Sequence, residues 1–268
     1  MRRAHRIAAI TKMLVEQPQR VYALGDFADI FGVSRSTLSE DLAIIRQAFG
    51  QLDLGLVETI SGAIGGVRYF PDLTEAQIRE EISKVCELLE EPQRILPGGF
   101  IFIDDVISSP FHLRNIGNIF ATYFRSREPE YVVTVETAGI PVALKTASSL
   151  KIPLVIVRRQ SRVAEGPVLT MRFLSGTARQ IETMSLSRRA LASKSRVLLI
   201  DDFMRAGGTL RGLTDLMGEF DCEVVGKGVF IETGWPKEKL VTDHLALVYL
   251  KEVDVENQKV LVQPADWV

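Results

Sequence analysis

The segment from Val197 to Thr209, VLLIDDFMRAGGT, carries the residues best suited to chemistry in this chain. Two adjacent acids, Asp201 and Asp202, follow an apolar run and precede a loop of small residues. Carboxylates accept hydrogen bonds from paired hydroxyls or hold a magnesium ion, but they repel a phosphate. The loop has the complementary chemistry. Ala206, Gly207 and Gly208 leave backbone N–H groups unobstructed for an anion, and Thr209 adds a hydroxyl as a helix from Thr209 to Met217 begins. Phe203, Met204 and Arg205 join the acids to the loop and complete the candidate site. Such a string suits a ligand with both a phosphate and a sugar diol. An acid pair after a strand is common and a Gly pair commoner still; the ordered combination is what makes the segment specific.

Further segments follow predicted strands. Glu136 to Pro141 forms a tight strand-to-helix loop in which Gly139, beside Thr137 and Ala138, can bring N–H groups to an anion. Gln160 to Arg189 is a long polar stretch holding Arg162, Arg172 and Arg179. Phe203 stands where a small side chain would suffice and can stack on a base. Phe100, just after the Gly98–Gly99 turn, supplies an opposite wall if its strand neighbours the motif strand. The expectation from these two rings is a pocket that also accepts a guanosine tetra- or pentaphosphate in competition with its main ligand.

The elements that must position these residues alternate as a parallel sheet requires. The pattern predicts strands at Phe100–Ile103, Tyr131–Val135, Leu154–Val157 and Val197–Ile200, with helices at Phe111–Phe124 and Ile140–Leu150. All four strands are expected in one sheet. The run from Leu245 to Val262 reads as further strands. A boundary falls at Pro71–Leu73, giving a first domain over 1–73 and an α/β domain over 74–268.

The first domain has a different plan. Ile7, Ile10 and Leu14 recur at helical spacing, and Leu24–Phe31 predicts a short helix ending at Gly32. Ser34 caps a third helix whose apolar face is Leu38, Leu42 and Ile45. That arrangement is a helix-turn-helix with Arg35, Ser36, Thr37 and Ser39 at its exposed start. LVETI, SGAIGG and VRYF follow as a hairpin with Gly65 and Gly66 at its tip, which makes a winged helix. Residues 1–74 hold eight Lys/Arg against eight Asp/Glu, so placement matters more than net charge. Arg2, Arg3, Arg6 and Lys12 precede the first acid, Glu16, and form a basic leading edge suited to a DNA backbone.

The net charge of -2 over 268 residues announces no nucleic-acid partner by itself. Two cysteines form no pair motif or metal spacing, and no metal site is expected. No apolar stretch approaches the ~20 residues of a membrane span, and the N-terminal residues do not read as a signal peptide, so a cytoplasmic protein without a membrane partner is expected.

VLLIDDFMRAGGT resembles the 5-phosphoribosyl-1-pyrophosphate (PRPP) motif of type I phosphoribosyltransferases. The resemblance implies that Asp201 and Asp202 hold the ribose hydroxyls, that Arg205 to Thr209 hold the ribose phosphate, and that Thr137 to Gly139 lie where pyrophosphate binds. It departs from the family at Ala206, where a small hydroxylated residue is usual, and at Arg205, which adds a charge. A winged helix before such a domain, with RILPGG at 94–99, SG at 175–176 and ETMSL at 182–186, resembles the purine operon repressors of Gram-positive bacteria. That second resemblance covers nearly the whole chain. It implies a non-catalytic domain that senses PRPP, with Mg2+ accompanying it, and a homodimer built on that domain. It further implies that PRPP lowers affinity for paired operator boxes in duplex DNA at purine synthesis and transport genes. The residues alone leave open an active purine phosphoribosyltransferase with an accessory nucleic-acid-binding domain, or an RNA-binding attenuator, although a winged helix favours duplex DNA.

Overall fold

The computed structural model describes residues 1–268 except 63, 64, 161–165 and 175–180. Arg162, Arg179 and the Ser175–Gly176 pair therefore lie outside the described residues, as does part of the hairpin tip. The chain divides into two compact units, Met1–Thr74 and Glu75–Val268.

In the first unit, helix α1 (Arg3–Glu16), strand β1 (Tyr22–Ala23), helices α2 (Leu24–Phe31) and α3 (Arg35–Gln51), and strands β2 (Leu56–Ile60) and β3 (Gly66–Phe70) follow in order. Gly32 ends α2 in the left-handed conformation with its N–H on the Ala28 carbonyl at 2.9 Å, and the Ser34 hydroxyl accepts the Thr37 N–H at 3.2 Å to start α3. Apolar faces of all three helices meet at Ile10, Leu14, Phe27, Leu38 and Ile45. The hairpin gains a third strand that the sequence pattern missed. Tyr22–Ala23 pairs with Val67–Gly66, giving the order β1-β3-β2.

Two expected DNA contacts are corrected by this packing. Arg6 is 5% exposed, and its Nε donates to the Asp41 Oδ2 at 2.5 Å; it ties α1 to α3 inside the unit. Gly66 is buried in the ladder. A Cβ there would stand 2.9 Å from the Tyr22 carbonyl oxygen, so glycine lets β1 approach β3.

The second unit begins with α4 (Glu75–Leu89), which buries Ile78, Ile82, Val85 and Leu89. Strands β4 (Ile95–Leu96) and β5 (Phe100–Ile101) come next, then α5 (Asp104–Ser108), α6 (Pro110–Phe124), β6 (Tyr131–Val135), α7 (Ile140–Leu150) and β7 (Leu154–Val157). After them come β8 (Val168–Leu174), β9 (Ile181–Ser187), β10 (Arg196–Met204), α8 (Gly208–Glu219), β11 (Glu223–Thr233), β12 (Leu245–Asp254) and β13 (Lys259–Pro264). Six of these strands form one sheet in the order β13-β12-β11-β10-β6-β7. All pair in parallel except the edge strand β13. Helix α8 lays Leu210, Leu213, Leu216 and Met217 on Val133, Val135, Val197 and Leu199. α6 packs against α7 and β11, and a Cβ at Gly228 would meet the Phe120 ring at 2.7 Å.

Two expectations for this unit are corrected. The strand opening at Phe100 is not in the main sheet; it pairs only with Ile95–Leu96, because Gly98 and Gly99, both at positive φ, fold it back in a tight hairpin. The motif strand does not stop at Ile200. It runs through both acids to Met204, and its pairing with β11 extends as far as Met204 opposite Glu232.

Candidate functional site

β10 and β6 are adjacent parallel strands whose following helices diverge, α8 toward β11 and α7 toward β7. The crevice at the carboxyl ends of such a pair is where open α/β sheets bind ligands. Asp201 and Asp202 lie there, beyond the part of β10 that pairs with β6 and two residues before the strand ends. Asp201 is 5% exposed and its Oδ1 accepts the Asp202 N–H at 3.1 Å. Burial pushes the Asp201 carboxyl well above the usual carboxylate range, the charge of Asp202 adds to this, and Arg159 acts in the opposite sense. Asp202 is raised too, chiefly by burial. A carboxylate held out of water needs a hydrogen-bond donor beside it, and a pair of hydroxyls supplies two.

The loop after the acids turns at Gly207, whose φ of 85° strains any residue with a Cβ. Gly207 caps α8, so the N–H groups of the first turn of α8, from Gly208 and Thr209 onward, lack partners within the helix. They make an anion cradle at the positive end of the helix dipole. Met204 does not belong to it. It is 2% exposed and sits in the apolar core under α8, a correction to its place among the ligand-binding residues. Phe203 is half-buried and pairs with Ile231 in the ladder.

The second loop, Glu136 to Gly139, lies beside the acids. A Cβ on Gly139 would stand 2.7 Å from the Thr134 hydroxyl and 2.9 Å from Asp201 Oδ1, so only glycine lets this loop meet the end of β10. Thr137 and Ala138 are exposed. The loop is anchored by Glu136, whose carboxylate accepts Arg158 Nη1 at 3.0 Å and the Arg159 N–H at 2.7 Å; Arg159 also pairs with Glu182 in the ETMSL stretch. Arg158 and Arg159 had no function assigned by spacing. Their position at the end of a predicted strand next to the Glu136 loop was the available signal.

Phe100 reaches the site by another route than the one its sequence suggested. Its ring is 53% exposed, and the Arg205 guanidinium lies 5.8 Å from its centroid, a cation–π distance. Lys239, which no pattern singled out, donates from Nζ to the Arg205 carbonyl and, at 2.6 Å, to the Thr233 carbonyl. Among the described residues no group of three or more His, Cys, Asp or Glu side chains is arranged to hold a metal. No helix among them is long and apolar enough to cross a membrane.

In the first unit, Ser34, Ser36 and Thr37 share hydroxyl hydrogen bonds of 2.8 and 2.9 Å at the start of α3. Arg35 and Arg2 are exposed. Arg3 is half-exposed but donates to Asp41 at 3.0 Å and to Glu40 at 3.4 Å. Gly65 is half-buried before β3.

Residues 2–71 match a family described as bacterial purine repressor, N-terminal, and residues 103–266 match the phosphoribosyl transferase domain. The chain is 38% identical, over 98% of its length, to the purine biosynthesis transcriptional repressor PurR of Bacillus subtilis (strain 168), covering 92% of it. It is also 38% identical, over 98% of its length, to the purine biosynthesis transcriptional activator PurR of Lactococcus lactis subsp. lactis (strain IL1403), covering 97% of that protein. The crystal structure of adenine phosphoribosyltransferase from Thermoanaerobacter pseudethanolicus superposes with a TM-score of 0.53 at 17% identity, over 62% of this chain and 98% of that one. That likeness shows the fold of the second unit.

Proposed function

The chain belongs to the bacterial purine repressor family of transcription regulators of purine biosynthesis, and from that premise we propose that it is a cytoplasmic, homodimeric repressor induced by PRPP. The carrying observation is the acid pair near the end of β10, Asp201 buried and Asp202 half-buried, followed by the glycine-capped start of α8. Asp201 and Asp202 accept the ribose hydroxyls. The amides of Arg205 to Thr209 take the ribose phosphate, and those of Thr137 to Gly139 take the pyrophosphate. Mg2+ binds chiefly through the ligand's own phosphates, since the described residues offer it at most these two carboxylates. The second unit carries the dimer contact and senses PRPP without consuming it. The first unit holds paired operator boxes of purine synthesis and transport genes, with Arg2, Arg35, Ser36 and Thr37 facing DNA and Gly65 at the wing. A gel shift with operator duplex tests this reading. The complex should dissolve with PRPP and Mg2+ and persist with Mg2+ alone; turnover of PRPP with any purine base would support the transferase reading instead.

DNA contact through the starts of α1 and α3 has its own test. Replacing Arg2 and Arg35 with Ala should weaken binding to every sequence and flatten its salt dependence, each lost phosphate contact removing about 0.9 from the log–log slope. An unchanged slope would take both residues out of the interface.

The exposed Phe100 ring beside Arg205 favours a competing ligand as well. A guanosine tetraphosphate or pentaphosphate would lay its phosphates on the cradle and its base on Phe100, a stack worth roughly 1 to 3 kcal/mol. Competition calorimetry should show the tetraphosphate displacing PRPP from the parent protein and about tenfold less effectively from Phe100→Ala. Equal displacement from both would remove Phe100 from the pocket and leave Phe203, half-buried in the ladder, as the remaining ring.

A further inference from the structure

We propose that Lys239 is the positioning residue of the phosphate cradle, holding the peptide planes of the motif loop so that their N–H groups face the ligand; this rests on the effector reading above. The segment after β11 returns across the loop that follows β10. Lys239 Nζ donates to the Arg205 carbonyl and to the Thr233 carbonyl, tying together the ends of two neighbouring strands. The next residue continues the contact, as the Leu240 N–H donates to the Ala206 carbonyl at 2.8 Å. Val241 is buried against the loop, and its backbone nitrogen would stand 3.3 Å from a Cβ on Gly207.

The geometry of the trans peptide supplies the consequence. Within one peptide plane the C=O and N–H point in opposite directions. The Arg205 carbonyl shares its plane with the Ala206 N–H, and the Ala206 carbonyl shares its plane with the Gly207 N–H. Drawing both carbonyls toward residues 239 and 240 therefore turns both N–H groups away from them. Those two amides then extend the row that the first turn of α8 begins. Without the clamp, two flexible planes next to a glycine would have to be ordered by the ligand itself.

Lys239 also places a charge there. Its side chain is 10% exposed and stands 3.8 Å from the Glu232 carboxylate, which His244 Nε2 engages at 2.7 Å. Burial lowers the ammonium pKa below the ordinary lysine value, Glu232 opposes this and Arg205 adds to it. The loop thus rests on a cation that solvent barely reaches.

Calorimetric titration of the full chain with ribose 5-phosphate and with PRPP tests the proposal. Ribose 5-phosphate lacks the pyrophosphate and so reads the cradle and the acid pair without the Glu136 to Gly139 loop. Lys239→Met should lower affinity for both ligands by the same factor of about ten, while Lys239→Arg restores most of it and operator binding without ligand is unchanged. Parent-like affinity in Lys239→Met overturns the proposal. Should that variant fail to fold, parent-like affinity for ribose 5-phosphate in Lys239→Ala overturns it equally. A parent protein that takes up neither ligand removes the effector reading itself, which is a different result from a variant that fails where the parent binds.

Discussion

Replacing Asp201 with Asn should give a protein that holds operator DNA and no longer releases it at PRPP concentrations that induce the parent. The variant keeps the shape of the side chain but loses its charge and turns one of its two acceptors into a donor. A charge-assisted hydrogen bond to the ribose diol is worth on the order of 1.5 to 3 kcal/mol, or about ten- to a hundredfold in affinity. Operator release in a gel shift reads the loss directly. The same substitution should raise the stability of the ligand-free protein. Burial holds the Asp201 carboxyl above its ordinary range, so the fold favours the neutral form. The stability that the neutral carboxyl contributes is complete below the ordinary carboxylate pKa and is lost as pH rises through the raised folded value. Asn carries no charge at any pH. Its advantage over the parent in denaturant melts should therefore grow from acid toward neutral and alkaline pH. Operator release at the parent's PRPP concentration would remove Asp201 from the ligand, and a variant less stable than the parent at pH 8 would overturn the burial argument.

Arg6→Met should have the largest effect on stability. Asp41 is fully buried and accepts Arg6 Nε at 2.5 Å and Arg3 Nε at 3.0 Å. Removing Arg6 leaves a buried carboxylate with a single half-exposed partner, and breaking a buried ion pair in this way costs about 3 to 5 kcal/mol. The expected result is early unfolding of the first unit and loss of binding to all DNA sequences. Changing both residues, Arg6→Met with Asp41→Leu, removes the stranded charge and should recover most of the stability. If Arg6 instead touched DNA, the single variant would melt normally and its salt slope would fall by about 0.9. Chemical denaturation with the salt titration separates the two outcomes.

Arg6 also marks a place where the sequence held a signal that charge alone concealed. Arg6, Ile10 and Leu14 recur every fourth residue, so α1 puts Arg6 on the same face as two core side chains. Asp41 lies likewise between Leu38 and Ile45 on the buried face of α3. Opposite charges on two apolar stripes are the pattern of an internal pair. Basic residues clustered near a chain start read more readily as a surface edge, which is how Arg2, Arg3 and Arg6 present themselves in the sequence.

The ends of β6, α7 and β7 were readable to the residue because burial periodicity and the flanking Gly and Pro are local properties of the chain. Asp201, Asp202 and the glycine-capped start of α8 were readable for the same reason. Their chemistry lies in one uninterrupted segment, and adjacency along the chain guarantees adjacency in space. Tertiary structure decided what lies across that segment. Lys239 meets the Arg205 carbonyl from 34 residues away, Gly139 fits between Thr134 and Asp201 because β6 and β10 are neighbours, and Phe100 comes to Arg205 from a separate hairpin. None of these pairings leaves a periodic mark, since each depends on strand order and on where a loop returns. Periodicity records which face of an element is buried, whereas strand order and loop path determine what that face is buried against.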